Sequence, residues 1–438
     1  MSIDLIKNKM EVKILNNLNK RKKISVSFLT VVFVITLVLG INIFCCVATT
    51  EGPIKIAVIE DQSGDFAFNG IPKVHGAQLA AAEINEAGGI LGRKIELLTP
   101  DPQSNPTRYQ ELVNWAILDE KVDMIIACSS SAHRESIRPI IDKYKQLYFY
   151  ACTYEGGVAD KYTFEMGAVP EQQMLPAVKY MNENYGPRVY IIAVDYIGGH
   201  NTALWGKVAI DLYGGELLGE EYIPVGVSEF SDVLARIQKV NPDWIMTLLS
   251  GENQLNFYPQ SLASNIHYPM MSIFNLAQGY EHLRFAPPAL QDMHVAVNYM
   301  QEIPTERNKA FVERWHKMFP DEPYISEMGE DTYNAMFLYA KAVKIAGTTD
   351  QGEVIKALES GIGFEAPRGD VFLDPATHHL TNPIWFAKCN EKHEIEFLAS
   401  WPAMEPWWLR RLGVNLIRSP EFKQYAPGED PYFEELLK

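Results

Sequence analysis

The chain has 438 residues, a formal net charge of −16, 47% hydrophobic residues and 21% charged residues. A globular protein of two or three domains has this length and composition, whereas a disordered chain or a small disulfide-stapled module does not. The acidic balance also argues against nucleic acid as the main partner, because binding to phosphates requires a basic surface.

The first segment, residues 1–48, has a charge of the opposite sign. It contains seven Lys or Arg and two Asp or Glu, a net of +5, which leaves −21 on the remainder. A basic Lys20–Lys23, an apolar run over Ile24–Phe44 and a small residue at Ala48 predict a secretory signal peptide over residues 1–48. The alternative is an uncleaved membrane anchor, since the apolar run has about 20 residues. Both interpretations predict an extracytoplasmic protein.

Strand and helix patterns alternate after this segment. In chain order they predict a strand at 54–59, a helix from about 72 that stops at 88–89, a strand at 94–99, a helix at 107–120, a strand at 124–127, a helix at 133–144 and a strand at 147–150. Such alternation is typical of a parallel sheet covered by helices on both faces.

The same rhythm then restarts. It predicts helices at 174–185, 202–212, 230–240 and 254–263 and strands at 189–194, 216–223, 244–249, 270–274 and 293–298. Helices follow at 307–318, 328–346 and 351–360, and we expect short strands at 371–373, 384–389 and 395–398 to form a small ribbon on the second lobe.

The patterns predict an α/β fold of two Rossmann-like lobes, each with its own parallel-rich sheet. Lobe 1 takes residues 53–167 plus 300–368, and lobe 2 takes residues 168–299 plus 369–400. Residues 401–438 remain as a C-terminal extension. Because ligands of open α/β sheets lie beyond the carboxyl ends of the strands, the cleft between two such lobes is the expected binding site.

Polar residues follow several predicted strands and are candidate ligand contacts. They are Ser129, Ser130, Ser131, Tyr150, Thr153, Tyr154 and Tyr196. Each has an ordinary structural alternative, since a serine before a helix is usually an N-cap and a tyrosine at a strand end is usually half-buried core. Their shared placement at strand ends is what favours ligand contact.

Motifs for catalysis, cofactors and metals are missing from the sequence. There is no G-x-S-x-G elbow, no G-x-G-x-x-G after a strand and no phosphate-binding G-x-x-x-x-G-K-[ST] loop. Cys152 could serve an amidohydrolase as nucleophile, but no Lys or His lies beside it to lower its pKa. His378 and His379 are adjacent, and neighbours in a strand point to opposite faces. We therefore predict a protein that is not an enzyme and has neither cofactor nor metal.

Several motifs resemble the type I periplasmic solute-binding proteins of ABC transporters, in the branched-chain amino acid group. The run from Glu83 to Ile95 is typical of the whole group, whereas Tyr154-Glu155-Gly156, Asp195-Tyr196 and Phe364–Gly369 resemble its urea and short-chain amide branch. The resemblance implies two lobes joined by a three-strand hinge, and capture of a solute by closure. It implies ligand contacts at Ser131, Tyr150, Thr153 and Tyr196, with Ser129 and Ser130 close by.

The ligand class follows from the loop after the strand at 270–274. Amino-acid binders of this group have an acid there for the ammonium, but this loop reads Asn275-Leu276-Ala277-Gln278, which suits a neutral amide better. We therefore expect Asn275 to contact a urea or short-chain amide. An amino acid is the alternative, with Glu155, Asp195 or Glu252 as ammonium partners. A sensory amide-binding regulator is a further alternative.

The resemblance also implies an ABC permease in the cytoplasmic membrane as partner. Relatives usually end soon after Leu398, whereas this chain continues to Lys438 through Trp401, Trp407 and Trp408. Three tryptophans in eight residues are seldom freely solvated. We expect the extension to pack along one lobe, and a docking or homodimer surface is the alternative.

Overall fold

A computed structural model of the protein describes residues 52–249 and 252–436. The predicted signal peptide at residues 1–48 lies outside this part. The strands are β1 (Ile54–Ile59), β2 (Ile95–Leu98), β3 (Met124–Ala127), β4 (Tyr148–Tyr150), β5 (Val158–Asp160), β6 (Thr163–Glu165), β7 (Arg188–Val194), β8 (Glu216–Ile223), β9 (Trp244–Leu248), β10 (Met270–Ser272), β11 (Met293–Val297), β12 (Gly363–Ala366), β13 (Gly369–Leu373), β14 (Leu380–Cys389), β15 (Ile395–Met404) and β16 (Phe422–Gln424).

Helices connect these strands. They are α1 (Ala67–Glu86), α2 (Pro106–Trp115), α3 (Ser131–Tyr144), α4 (Pro170–Tyr185), α5 (Ile197–Leu212), α6 (Ser231–Val240), α7 (Glu252–Ala263), α8 (Glu281–Arg284), α9 (Glu306–Met318), α10 (Glu327–Ala346), α11 (Gln351–Leu358), α12 (Trp408–Arg411) and α13 (Pro431–Leu436). Helix α2 continues as a π-helical turn over Ala116–Glu120, so the predicted helix at 107–120 is these two pieces.

Lobe 1 contains a five-stranded parallel sheet in the order β2-β1-β3-β4-β6. Its central strands, β1 and β3, are apolar and buried on both faces, as expected for a parallel sheet between two helical layers. The sequence pattern predicted four of these strands and missed β6.

Lobe 2 repeats this strand order in a larger sheet. The order β8-β7-β9-β10-β11 is parallel, and β14, β13, β12 and β15 extend it with antiparallel pairs. The predicted small ribbon is therefore wrong, because β14 pairs directly with β11 and its neighbours are part of the same nine-stranded sheet. The α/β class with parallel-rich sheets is confirmed.

The chain crosses between the two sheets three times. It leaves the first sheet after β6, returns after β11 so that α9 and α10 pack on α1, and enters the second sheet again at β12. Gly76 and Gly329 bring α1 and α10 close together, since a Cβ at Gly76 would lie 2.1 Å from the Gly329 carbonyl oxygen. This close packing places the start of α10 beside the strand ends of lobe 1.

The described residues contain no helix that is long and apolar enough to cross a membrane. Cys128, Cys152 and Cys389 are all buried and free.

Candidate functional site

The order of the strands in each sheet indicates where the candidate site lies. In lobe 1 the order reverses between β1 and β3, and in lobe 2 it reverses between β7 and β9. Loops diverge at such a switch point and leave a crevice at the carboxyl ends of the strands. The loops at 60–66 and 128–130 border this crevice in lobe 1, and the segment at 195–196 borders it in lobe 2.

A buried ion pair lies at the lobe 1 switch point. Lys73 Nζ of α1 is 2.6 Å from Glu60 Oε1, and neither side chain is exposed. Lys73 also donates to the Cys128 carbonyl at 2.6 Å, and Ser129 Oγ donates to Glu60 Oε2 at 2.9 Å. Burial raises the pKa of Glu60 to about 6, against the attraction of Lys73. The predicted residue Ser129 therefore belongs to a charged network that fixes two strand-end loops.

The next two serines have different roles. Ser130 caps α3, since its Oγ accepts a hydrogen bond from His133 N at 3.2 Å, which is the structural alternative considered for it. Ser131 Oγ donates to Glu155 Oε2 at 2.6 Å. Ser131 is partly exposed at the first turn of α3 and keeps an acceptor for a ligand.

Two tyrosines predicted as ligand contacts enclose a buried arginine. The Arg134 guanidinium carbon lies 4.8 Å from the Tyr150 ring centre and 4.5 Å from the Tyr154 ring centre. Burial lowers the pKa of Arg134, but Glu155 and Glu165 raise it, and the net direction is upward. Tyr154 OH is 2.5 Å from His379 Nε2, so its hydroxyl is used inside the protein. Tyr150 is fully buried and remains a candidate contact.

Thr153 lies near the start of α10, where lobe 1 meets lobe 2. Gln278 of lobe 2 donates to Glu327 Oε1 at 2.9 Å, and Glu327 N donates to the Ala277 carbonyl at 3.1 Å. Three oxygen atoms here are buried and make no hydrogen bond of normal geometry with described residues: Thr153 Oγ1, Glu327 Oε2 and Asp331 Oδ2. Burial raises the pKa of Glu327, and the neighbouring Asp331 carboxyl raises it further.

The two lobe 2 candidates are placed differently. Tyr196 is the N-cap residue of α5 and is 47% exposed on the lobe 2 side of the crevice. Asn275 is fully buried, and its amide group is used within lobe 2, where Nδ2 donates to Tyr258 OH at 2.5 Å and Oδ1 accepts from Ser272 Oγ at 2.6 Å. The described contacts of Asn275 therefore stabilise the loop after β10 within lobe 2.

Sequence reasoning missed four charged groups of this region, namely Glu60, Lys73, Glu327 and Asp331. The helical patterns from about 72 and at 328–346 gave no sign that Lys73 and Asp331 face inward. The acids proposed for an ammonium have other partners: Glu155 holds Ser131, and Asp195 accepts from His200 Nε2 at 2.8 Å. The side chain of Glu252 lies outside the described part. Over residues 52–249 and 252–436, no group of three or more His, Cys, Asp or Glu could hold a metal ion.

Comparison with known proteins agrees with this architecture. The family described as "Periplasmic binding protein" matches residues 53–394 of the chain. The chain belongs to this family. Because the family consists of binding proteins, the prediction that the chain is not an enzyme is confirmed. Membership also places the protein outside the cytoplasmic membrane.

Among its relatives are two proteins of Brucella melitensis biotype 1. The chain is 23% identical to "Leu/Ile/Val-binding protein homolog 6" over 342 residues, which cover 76% of this chain and 86% of the relative. It is 24% identical to "Leu/Ile/Val-binding protein homolog 4" over 365 residues, with 78% of this chain and 86% of the relative covered.

Solved structures share the fold. A solute-binding protein of an ABC transporter from Rhodopseudomonas palustris BisB5, in complex with 3,4-dihydroxybenzoic acid, matches with a TM-score of 0.71 and 20% identity over 81% of this chain and 99% of that chain. The branched-chain amino acid binding protein of Streptococcus pneumoniae, in complex with isoleucine, matches with a TM-score of 0.69 and 20% identity over 81% and 100%.

Proposed function

We propose that the chain is the substrate-binding protein of an ABC importer and that it captures a small polar solute of the urea or short-chain amide class. The signal peptide at residues 1–48 exports it, the two lobes close over the solute, and an ABC permease in the cytoplasmic membrane receives it. The observation that carries the solute class is the set of unsatisfied acceptor oxygens between the lobes.

These buried acceptor oxygens favour a ligand that donates hydrogen bonds. Thr153 Oγ1, Glu327 Oε2 and Asp331 Oδ2 are buried and lack a hydrogen bond of normal geometry among the described residues, although the Thr153 hydroxyl is close enough to the Glu327 carboxyl to oppose the rise in its pKa that burial causes. A buried acceptor that remains unpaired costs about 1–3 kcal/mol. An amide or urea N–H₂ group supplies donors to these oxygens. Its carbonyl oxygen can accept from the Tyr150 hydroxyl, whereas Ser131 Oγ, whose proton is donated to Glu155, can accept from an N–H of the solute.

The buried cations argue against a carboxylate ligand. Lys73, Arg134, Arg138 and Arg368 are the buried Lys and Arg side chains of the described residues, and each is ion-paired within the protein. Arg368 in particular pairs with Glu330 and Asp331. A benzoate anion, as bound by a solute-binding protein of Rhodopseudomonas palustris, would meet the acceptor oxygens of Glu327 and Asp331, and each of the four buried cations already faces a carboxylate.

An amino acid is the second candidate, and the same acids favour it. An ammonium could pair with Glu327 and Asp331, although its carboxylate would then depend on hydroxyls and backbone N–H groups at the start of α3. Glu281, the nearest acid after the Asn275 loop, does not serve this purpose, because its Oε2 accepts from Leu276 N at 2.6 Å.

A thermal-shift screen of urea, acetamide, propionamide, isoleucine and benzoate tests the proposal. A ligand at 100 times its dissociation constant stabilises the protein by about 2.7 kcal/mol. We expect amides to raise the melting temperature and benzoate to leave it unchanged. A shift caused only by benzoate or only by amino acids would overturn the amide proposal.

Two matched variants test the site within this proposal. Glu327→Gln preserves the shape of the side chain but replaces one of its two oxygen atoms by an amide nitrogen, so we expect acetamide affinity to fall by about tenfold or more. Glu306→Gln is the control, because the Glu306 side chain is 89% exposed at the start of α9. Equal affinity of both variants would remove Glu327 from the site.

A further inference from the structure

The C-terminal extension lies beyond the family match, and the structure describes it up to residue 436. The match ends at residue 394, and the extension that follows β15 contains α12, β16 and α13. Its contacts with the two lobes therefore come in addition to those within the matched region.

One end of the extension is anchored on lobe 2. Trp408, Leu409, Val414, Leu416 and Phe433 are buried in an apolar cluster with Trp205 and Val208 of α5. The rings of Trp408 and Phe433 each lie 5.1 Å from that of Trp205. Trp408 Nε1 donates to Asp430 Oδ2 at 2.9 Å, which ties α12 to the end of the chain. This contact agrees with the expectation that the extension packs along one lobe.

The other end is paired with lobe 1. Strand β16 is antiparallel to β5, with Lys423 opposite Ala159, and Tyr425 N donates to the Gly157 carbonyl at 2.8 Å. The guanidinium carbon of Arg138, on α3, lies 4.6 Å from the Phe422 ring centre. The extension thus contacts both lobes. Its contact with lobe 1 reaches the loop at 153–157.

A single carboxylate connects this strand to the candidate site. Gln424 Nε2 of β16 donates to Glu155 Oε1 at 2.7 Å, and Ser131 Oγ donates to Glu155 Oε2 at 2.6 Å. Glu155 is 4% exposed, so the two hydrogen bonds are made in a desolvated environment where each counts for more. The rotamer of Glu155, and through it the direction of the Ser131 hydroxyl, is set in part by Gln424.

We propose that Gln424 is a positioning residue of the solute site, through which the C-terminal extension holds Glu155 and Ser131 in the binding geometry. The proposal rests on the proposed function for its solute, but not for its structural part. Loss of Gln424 leaves Glu155 Oε1 with the longer Arg134 Nη2 contact at 3.5 Å, and Glu155 can then turn away from Ser131. The extension, which sequence analysis set apart from the lobes, becomes part of the binding site.

Hydrogen–deuterium exchange tests the structural part without any solute. In Gln424→Ala we expect the amides of residues 131–135 to exchange about tenfold faster than in the wild type. Lys423→Ala is the control, because among the described residues its Nζ contacts Glu429 of the extension at 3.3 Å and the Tyr425 ring. Unchanged exchange in Gln424→Ala would overturn the proposal.

Acetamide binding then tests the functional part through a double-mutant cycle. We expect Gln424→Ala to weaken binding about fivefold in the wild type and to have no effect in a Ser131→Ala background. The pair Gln424→Glu with Glu155→Gln should restore affinity lost in Gln424→Glu alone. Additive effects would show that Gln424 does not act through Ser131. If acetamide fails to bind the wild type, the proposed solute class fails, while the exchange result still decides the positioning role.

Discussion

Substitution of Lys73 by Met removes the cation at the lobe 1 switch point and leaves its two oxygen partners in place. Lys73 Nζ is 2.6 Å from Glu60 Oε1 and 2.6 Å from the Cys128 carbonyl oxygen, and both side chains of the ion pair are fully buried. Removing one partner of a buried pair costs about 3–5 kcal/mol, because the remaining charge is uncompensated. We expect a loss of this size in the free energy of unfolding at pH 8.

The loss should depend on pH in a defined direction. The pKa of Glu60 is raised to about 6 by burial even though Lys73 lowers it, so removal of Lys73 raises this pKa further. A carboxyl whose folded-state pKa lies above its unfolded-state value stabilises the protein at acid pH and loses that contribution as the pH rises. The deficit of Lys73→Met should therefore be smaller at pH 5 than at pH 8.

Unfolding in guanidinium chloride followed by tryptophan fluorescence measures both effects, since urea itself is a proposed ligand. Lys55→Met is the matched control, since the Lys55–Glu120 pair has a similar 2.7 Å distance but side chains 32% and 29% exposed, and exposed pairs contribute about 0–1 kcal/mol. The double variant Lys73→Met with Glu60→Gln should regain part of the loss. A deficit below about 1 kcal/mol at pH 8, or an equal deficit at both pH values, would refute the reasoning.

Three further predictions concern a glycine, a buried carboxyl and the buried thiols. Gly157→Ala should detach β16 and lower the melting temperature, because a Cβ there would lie 2.0 Å from the Tyr425 carbonyl oxygen. Gly413→Ala, also at positive φ but with nothing within 4 Å, should have a smaller effect, and similar melting temperatures of the two variants would contradict this. Burial raises the pKa of Glu171 from 4.5 to about 7, so its contribution to stability is lost as the pH rises over that range. Glu171→Gln should therefore flatten the pH dependence of unfolding by up to about 3 kcal/mol between pH 5 and pH 8, and an unchanged profile would contradict the assignment. The thiols of Cys128, Cys152 and Cys389 are buried and should react with a thiol reagent only after unfolding, which labelling of the native protein would disprove.

Local patterns predicted most of the fold because strands and helices follow the periodicity of neighbouring residues. The strand predicted at 216–223 has the bounds of β8, and the helix predicted at 328–346 differs from α10 by one residue. The pairing of β16 with β5 was not predictable in the same way. It joins residues more than 260 positions apart, and its partners are only three residues long.

The candidate site was predicted less completely, for a related reason. Polar residues at strand ends pointed to Ser129, Ser131 and Tyr150, since topology alone brings them to one crevice. The roles of the charged groups depend on partners far along the chain, as for Lys73, which reads from the sequence as an ordinary helical residue. Asn275 was predicted as a ligand contact from its place after a strand, but its amide donates to Tyr258, and no local pattern indicates that partner.

Isothermal titration calorimetry of acetamide with the purified protein tests the central claim most directly. The proposal predicts saturable binding of one acetamide per chain, recovery of the solute unchanged, and weaker binding by Glu327→Gln than by the wild type. Saturable binding of isoleucine or benzoate with no heat from urea or any short-chain amide would contradict it.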